Sequence, residues 1–244
     1  VIAWRLEQYD ALASTSDSCI LRAKDGAAEG LAILALRQTA GRGSRGRQWQ
    51  APAGNLNLSV LLRPALSMAQ SSIFPLLTGV AVADAVAAFL PADTAPVLKW
   101  PNDVLLGGAK LAGILIDAAP KGNSADWLVI GIGINLAEAP ELPGRRTTTL
   151  AQFGGHAKPP EAAQMVLHYL AFWLDVLEHS GVAPILDAWQ QRGHPIGTEL
   201  KLTGIADQVS GRFAGLSATG ELLLNVGNRI ERFSTGEILL GIRN

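Results

Sequence analysis

From Gly41 to Arg47 the chain reads Gly-Arg-Gly-Ser-Arg-Gly-Arg, three glycines and three arginines in seven residues. Glycines let backbone N–H groups close on an anion, and guanidinium groups grip phosphate or carboxylate with paired hydrogen bonds. No Gly-Lys-Ser/Thr follows, so this is not a Walker A loop. On residue types alone three readings stand: a solvated basic loop, a nucleic-acid contact, or an anion-binding loop of an active site. The glycines also predict high backbone freedom across residues 41–47.

Lys99-Trp100-Pro101-Asn102-Asp103 places two polar side chains after a proline, which fits a turn as well as a site. Lys110 is the one charge in Ala109–Ile116, and it reads either as an edge lysine reaching solvent or as a buried cation. If Gly107-Gly108 is the turn of a hairpin, Leu105 pairs with Lys110, and Asp103 shares the face of Lys110 about 7–8 Å away on the diagonal. A carboxylate and an ammonium flanking one space would suit Mg²⁺ and a nucleotide phosphate. Gly131-Ile132-Gly133-Ile134-Asn135 contains Gly-X-Gly but lacks a third glycine and a following helix pattern, so it is not a dinucleotide fingerprint. Strand glycines there mark a close approach of ligand or backbone, with Asn135 at the strand end.

Strands are expected at Trp4–Tyr9, Leu31–Leu36, Leu56–Leu62 and Trp127–Leu136, and Val97–Trp100 precedes a Gly-Gly hairpin. Helices are expected from Ser14 to about Lys24, over Pro75–Leu90, over Glu161–His179 with Gly181 beyond its end, and over Ala183–Gln191. Residues 137–149 read as a loop, and a turn is expected at Lys121–Ser124. After Arg192 the pattern changes to short strands: Glu199–Leu202, Val209–Leu216, Glu221–Val226, Arg229–Phe233 and Glu237–Ile242. This predicts two domains, residues 1–192 and a small β-barrel or sandwich over 193–244.

Of 244 residues, 48% are hydrophobic and 17% charged, which fits a folded globular chain and not a disordered one. The net charge of −1 gives no general basic field for nucleic acid, so any cationic chemistry must be local. Cys19, the single cysteine, sits in an apolar stretch and reads as a core residue in a reducing compartment, the cytoplasm. The most apolar run, Ile73–Leu90, is broken by Pro75, Gly79 and Asp84 and does not read as a membrane span. The N-terminus lacks the pattern of a signal peptide.

Taken together, Gln38–Gly43 with Arg45-Gly46-Arg47 and Trp49, then Gly54-Asn55-Leu56, Lys99–Asp103, Lys110–Leu115 and Gly131–Leu136, resemble the ordered motifs of the biotin protein ligases. The resemblance spans nearly the whole chain. It implies an α+β fold: a mixed, largely antiparallel sheet with packed helices, class II synthetase-like, followed by a small SH3-like β-barrel. It also implies an ATP-dependent ligase in which biotin's carboxylate attacks the α-phosphorus of ATP, and a lysine of a biotin carboxyl carrier protein then takes the biotinyl group. Carried over residue by residue, Lys110, Arg42 and Asp103 are the expected catalytic residues. Ser14, Thr15, Ser16, Gln38, Arg42, Gly43, Ser44, Lys110 and Gly113 are expected to meet biotin. Arg45, Arg47, Trp49, Asn102, Asp103, Lys110 and Asn135 are expected to meet ATP, with Asp103 also a ligand of Mg²⁺.

Two departures stand out. Ser44 occupies a position where the family commonly has Arg, and Ser16 one where it has Asn. Both remove contacts without removing the loop. The resemblance implies biotin, ATP and the carrier protein as partners, with no membrane and no DNA, since the helix-turn-helix domain of some members has no room before Trp4. Members occur as monomers and as dimers. Rival readings are a lipoate–protein ligase, whose usual Arg-Arg…Gly-Gly-Gly stretch is absent, and a nucleic-acid binder using the Arg/Gly loop.

Overall fold

The computed structural model describes residues 2–64, 72–122, 124–205 and 207–239. Residue 123 of the expected turn and residues 240–242 of the last expected strand lie outside the described residues.

Alternating and continuous apolar runs build seven strands: β1 (Arg5–Tyr9), β2 (Leu31–Ala35), β3 (Leu56–Leu62), β4 (Val97–Lys99), β5 (Asp103–Leu106), β6 (Ala109–Lys121) and β7 (Ser124–Ile134). They form one sheet in the order β1-β2-β3-β7-β6-β5-β4. Only β1 and β2 run parallel, because helix α1 (Thr15–Lys24) carries the chain between them. Ser14 caps α1 by accepting from the Asp17 N–H at 3.2 Å.

The sheet has two different faces. Ala32, Leu34, Leu58, Val60, Ile130 and Ile132 point to the main core under α2 (Ile73–Ala87), α3 (Pro159–Ser180) and α4 (Ala183–Arg192). Helix α2 is buried along nearly its whole length, which explains its Ala- and Val-rich composition without a membrane. Its Asp84 ties the layer together, accepting from Trp173 Nε1 and from Arg192 Nη2, both at 2.8 Å. Among the described residues no helix is long and apolar enough to cross a membrane.

On the opposite face, Leu31, Ile33, Leu61 and Val129 form a smaller cluster with Cys19 and Ala23 of α1. Beyond that cluster the same face turns polar and glycine-rich. Period-two alternation makes this unavoidable: Asn57 and Ser59 lie between core residues of β3, and Gly131 and Gly133 between core residues of β7.

After α4 come β8 (Glu199–Thr203), β9 (Val209–Leu216), β10 (Leu222–Val226), β11 (Arg229–Phe233) and β12 (Glu237–Leu239). They form a five-stranded antiparallel sheet in the order β11-β10-β9-β8-β12. This is the small β element, barrel or sandwich, that the short strands suggest; among the described residues no pairing joins β11 to β12. It packs on the main core through Phe213, Leu222, Leu224 and Ile238, and its Gly220 carbonyl accepts from Trp100 Nε1 at 3.2 Å.

Candidate active site

Strand register lays out the floor of a pocket on the α1 face. Asn57, Gly133, Gly113 and Asp103 stand in one cross-strand row, and Ser59, Gly131 and Leu115 in the next. The glycines are there because neighbours occupy the space of a side chain. A Cβ on Gly131 would lie 2.5 Å from Ser16 Oγ, one on Gly113 would lie 3.2 Å from the Trp49 ring, and one on Gly133 would overlap the Trp49 indole. Leu115 adds an apolar side chain on the same face.

One end of the pocket is neutral and rich in hydrogen-bonding groups. Gln38 Oε1 accepts from the Thr15 N–H at 2.7 Å and from Thr15 Oγ1 at 3.0 Å. Gln38 Nε2 donates to Asn57 Oδ1 at 3.1 Å. Ser59 Oγ lies 2.8 Å from Thr15 Oγ1 and 3.1 Å from Ser16 Oγ. This chain of hydroxyls and amides is positioned by the start of α1 and by the polar side of β3.

The other end is cationic. The Gly107-Gly108 hairpin has the expected pairing of Leu105 with Lys110, but a bulge after Val104 shifts the register and brings Asp103 opposite Gly113. The carboxylate and the ammonium do not flank an open space, because the long lysine side chain reaches across the diagonal. Lys110 Nζ bonds Asp103 Oδ1 directly, and Lys99 Nζ meets Asp103 Oδ2 at 3.0 Å. Burial alone would raise the Asp103 carboxyl, but the charges of Lys110 and Lys99 outweigh it and hold the group below its ordinary value. Lys110 Nζ also sits 5.8 Å from the Trp49 ring centroid, within cation–π range.

The Arg/Gly loop covers the pocket. An isolated bridge between Arg42 and Gln48 and a 2.9 Å bond from Trp49 N to Gly41 O close its stalk. Ser44–Gly46 makes a 3₁₀ turn, with Arg45 in the left-handed region at φ 60°. The Arg42 guanidinium meets two carboxylates at the pocket edge. Its Nη1 contacts Asp17 Oδ1 at 2.9 Å and Asp117 Oδ2 at 3.1 Å, and its Nη2 contacts Asp117 Oδ1 at 2.8 Å. The Asp117 hydrogen bonds raise the pKa of the guanidinium further. Arg47 donates to Ser44 Oγ at 3.0 Å and to Glu237 Oε2 at 2.9 Å; Glu237 Oε1 accepts from Arg145 at 2.6 Å. The Arg45 guanidinium packs against Gly204. The C-terminal sheet thus holds the far side of the loop.

The expected site residues divide by position. Thr15, Ser16, Gln38, Arg42, Gly43 and Ser44 line the pocket, as do Trp49, Asn102, Lys110 and Gly113. Arg45, Arg47 and Asp103 line an adjoining cleft that shares Ser44 and Asn102 with it. Ser14 acts as the α1 cap rather than as lining. Asn135 is buried behind Lys110, its Nδ2 donating to Thr148 O at 3.2 Å.

The profile of the Biotin/lipoate A/B protein ligase family matches residues 14–135, and that of the Biotin protein ligase C terminal domain matches residues 196–241. A biotin–[acetyl-CoA-carboxylase] ligase of Paracoccus denitrificans is 38% identical over 202 residues, covering 79% of this chain and 82% of its own. The chain belongs to the biotin protein ligases. Among these ligases, the Mycobacterium tuberculosis biotin–[acetyl-CoA-carboxylase] ligase is 35% identical, covering 97% of this chain and 89% of its own. The Aquifex aeolicus biotin protein ligase, solved with biotin and ATP, superposes with a TM-score of 0.81 at 30% identity, covering 96% of this chain and 97% of that one.

Several members of the site were not singled out from sequence. Asn57 and Ser59 carried a signal, because they are the polar half of an otherwise buried strand. Lys99 carried one too, four residues before Asp103 beside a proline turn. Asp17, Asp117, Arg145 and Glu237 carried none, since isolated surface-type charges far apart in the chain look alike until the fold pairs them.

Proposed function

We propose that this biotin protein ligase joins biotin to ATP, forming biotinyl-AMP and pyrophosphate, and transfers the biotinyl group to a lysine of a biotin carboxyl carrier protein. The observation that carries this is the polarity of the pocket. A neutral hydrogen-bonding end at Thr15, Gln38, Asn57 and Ser59 suits biotin's ureido ring, and the lysine end suits its carboxylate. Gly113 and Gly133 let the Trp49 ring lie flat against the sheet as a wall for biotin's rings.

A carboxylate of pKa about 4 is ionised at pH 7, so the attacking group needs no base. The barrier is electrostatic, because a carboxylate must approach a phosphate while charge builds on the phosphoryl oxygens. We assign Lys110, in the pocket, to the carboxylate and α-phosphate, and Lys99, Arg45, Arg47 and Asn102, along the cleft, to the rest of the triphosphate. Gly43 and Ser44 contribute backbone and hydroxyl donors from the loop. In the second half, the carrier's neutral amine attacks the mixed anhydride and AMP leaves.

Mg²⁺ accompanies ATP in solution, yet Asp103 does not fit as its ligand: both carboxylate oxygens are held by ammonium groups. We read residues 1–192 as the catalytic domain and 193–244 as a C-terminal domain, supported by the start of the second sheet at Glu199. Dependence on ATP and a buried free Cys19, whose thiol burial pushes up to about 12, fit a cytoplasmic enzyme.

Pyrophosphate release from ATP tests the reading. It is expected with biotin, and not with lipoate or without acid. A rate with lipoate equal to that with biotin would make the chain a lipoate ligase. Release with neither acid would remove the ligase reading.

A further inference from the structure

We infer that Asp117 is a positioning residue that clamps the ligand-covering loop through Arg42. The ligand named here rests on the ligase reading; the clamp rests on geometry alone. Arg42 stands at the base of the loop, held in the bridge with Gln48 and next to the Gly41 carbonyl that accepts from Trp49. Its guanidinium meets Asp117 through both terminal nitrogens, a forked contact that fixes the plane as well as the distance. Asp117 lies on β6, which also supplies Lys110, Gly113 and Leu115 to the pocket. The clamp thus ties the loop to the strand that forms its floor.

The two carboxylates around Arg42 are not equivalent. Asp17 makes one hydrogen bond and its side chain is 57% exposed, whereas Asp117 makes two and is 22% exposed. Solvent screens the first contact more than the second. An Arg42 engaged by two carboxylates is also a poor free cation for a ligand anion, because an incoming phosphate must compete with both. Its chief work is to keep Gly43, Ser44 and Trp49 seated over the pocket.

The test uses the full chain with three variants. Asp117→Asn keeps the shape and removes the charge, Asp117→Glu restores the charge, and Asp17→Asn removes the weaker contact. Amide hydrogen exchange over residues 41–48, measured without ligand, is expected to quicken about tenfold in Asp117→Asn, with helix α3 unchanged. The dissociation rate of enzyme-bound biotinyl-AMP is expected to rise about tenfold in the same variant, less in Asp17→Asn, and to return toward wild type in Asp117→Glu. If Asp117→Asn fails to fold, Arg42→Lys, which keeps the charge but loses the fork, is expected to show the same two changes. Loop exchange unchanged in a folded variant, or Asp17→Asn matching Asp117→Asn, would overturn the inference. Quickened loop exchange in a chain that never forms biotinyl-AMP would leave the clamp standing and remove the ligase reading instead.

Discussion

The Trp49 indole lies against the backbone of Gly133, in the space a Cβ would fill. Two elements 84 residues apart in the chain therefore share one layer, and the strand can be nothing but glycine there unless the ring moves. Gly133→Ala is expected to weaken biotin binding about 10- to 100-fold, the result of roughly 1–3 kcal/mol of overpacking. Isothermal titration would check it. The double variant Gly133→Ala, Trp49→Ala separates causes: binding closer to that of Trp49→Ala alone than additivity predicts shows that the ring is what the methyl meets. An undiminished affinity in Gly133→Ala would mean that the indole does not rest there in solution.

Lys110 touches both the Asp103 carboxylate and the Trp49 face. Lys110→Ala is expected to slow adenylation by about 10²–10³, as loss of one preorganised charge donor does. Lys99 still neutralises Asp103 in that variant, so the fold is expected to persist by circular dichroism. A single-turnover rate within about threefold of wild type contradicts the assignment.

Glu237 joins the C-terminal sheet to Arg47 and Arg145. Burial favours its neutral form, but the Arg47 hydrogen bond and the charges of Arg145, Arg47 and Lys99 prevail, so its pKa lies below the usual 4.5. The native state then holds its proton more weakly than the unfolded chain does. Its stabilising contribution is fully present above pH 4.5 and is lost as pH falls through the lower native value. The stability difference between wild type and Glu237→Gln, from urea unfolding, is expected to be constant from pH 7 to about pH 5 and to shrink below that. A difference that grows on acidification reverses the sign and refutes the pairing.

Ser44 offers a single hydroxyl, whose oxygen accepts from Arg47, at a position lining both pocket and cleft. Ser44→Arg would add a fixed positive charge beside the intermediate's phosphate. The lifetime of bound biotinyl-AMP is expected to lengthen about tenfold, equivalent to roughly 1.4 kcal/mol. A lifetime equal to or shorter than that of wild type would show that Arg45 and Arg47 already supply the charge.

Much of the site is legible in local pattern. Alternation along residues 56–62 and 128–134 places Asn57, Ser59, Gly131 and Gly133 on one face, and the Gly107-Gly108 turn dictates the Leu105–Lys110 pairing. What local pattern does not contain is the bulge after Val104, or the direct contact of Lys110 with Asp103 where a gap is expected. Nor does it contain the partners of the loop arginines. Arg42 finds Asp117 across 75 residues and Arg47 finds Glu237 across 190. Such pairings depend on where whole elements come to rest, and a charge on a strand edge reads the same whether it faces water or a distant arginine.

Two ammonium groups around one buried carboxylate leave the lysine cluster one positive charge in excess. Such a cluster is incomplete until a second anion arrives, and on the proposed reaction both biotin's carboxylate and the adenylate's phosphate supply one. Biotin joined to the carrier's lysine is an amide and supplies none. The same three side chains that welcome the free acid therefore have no counter-charge to offer the finished product, which gives the carrier protein a reason to leave once it has been modified.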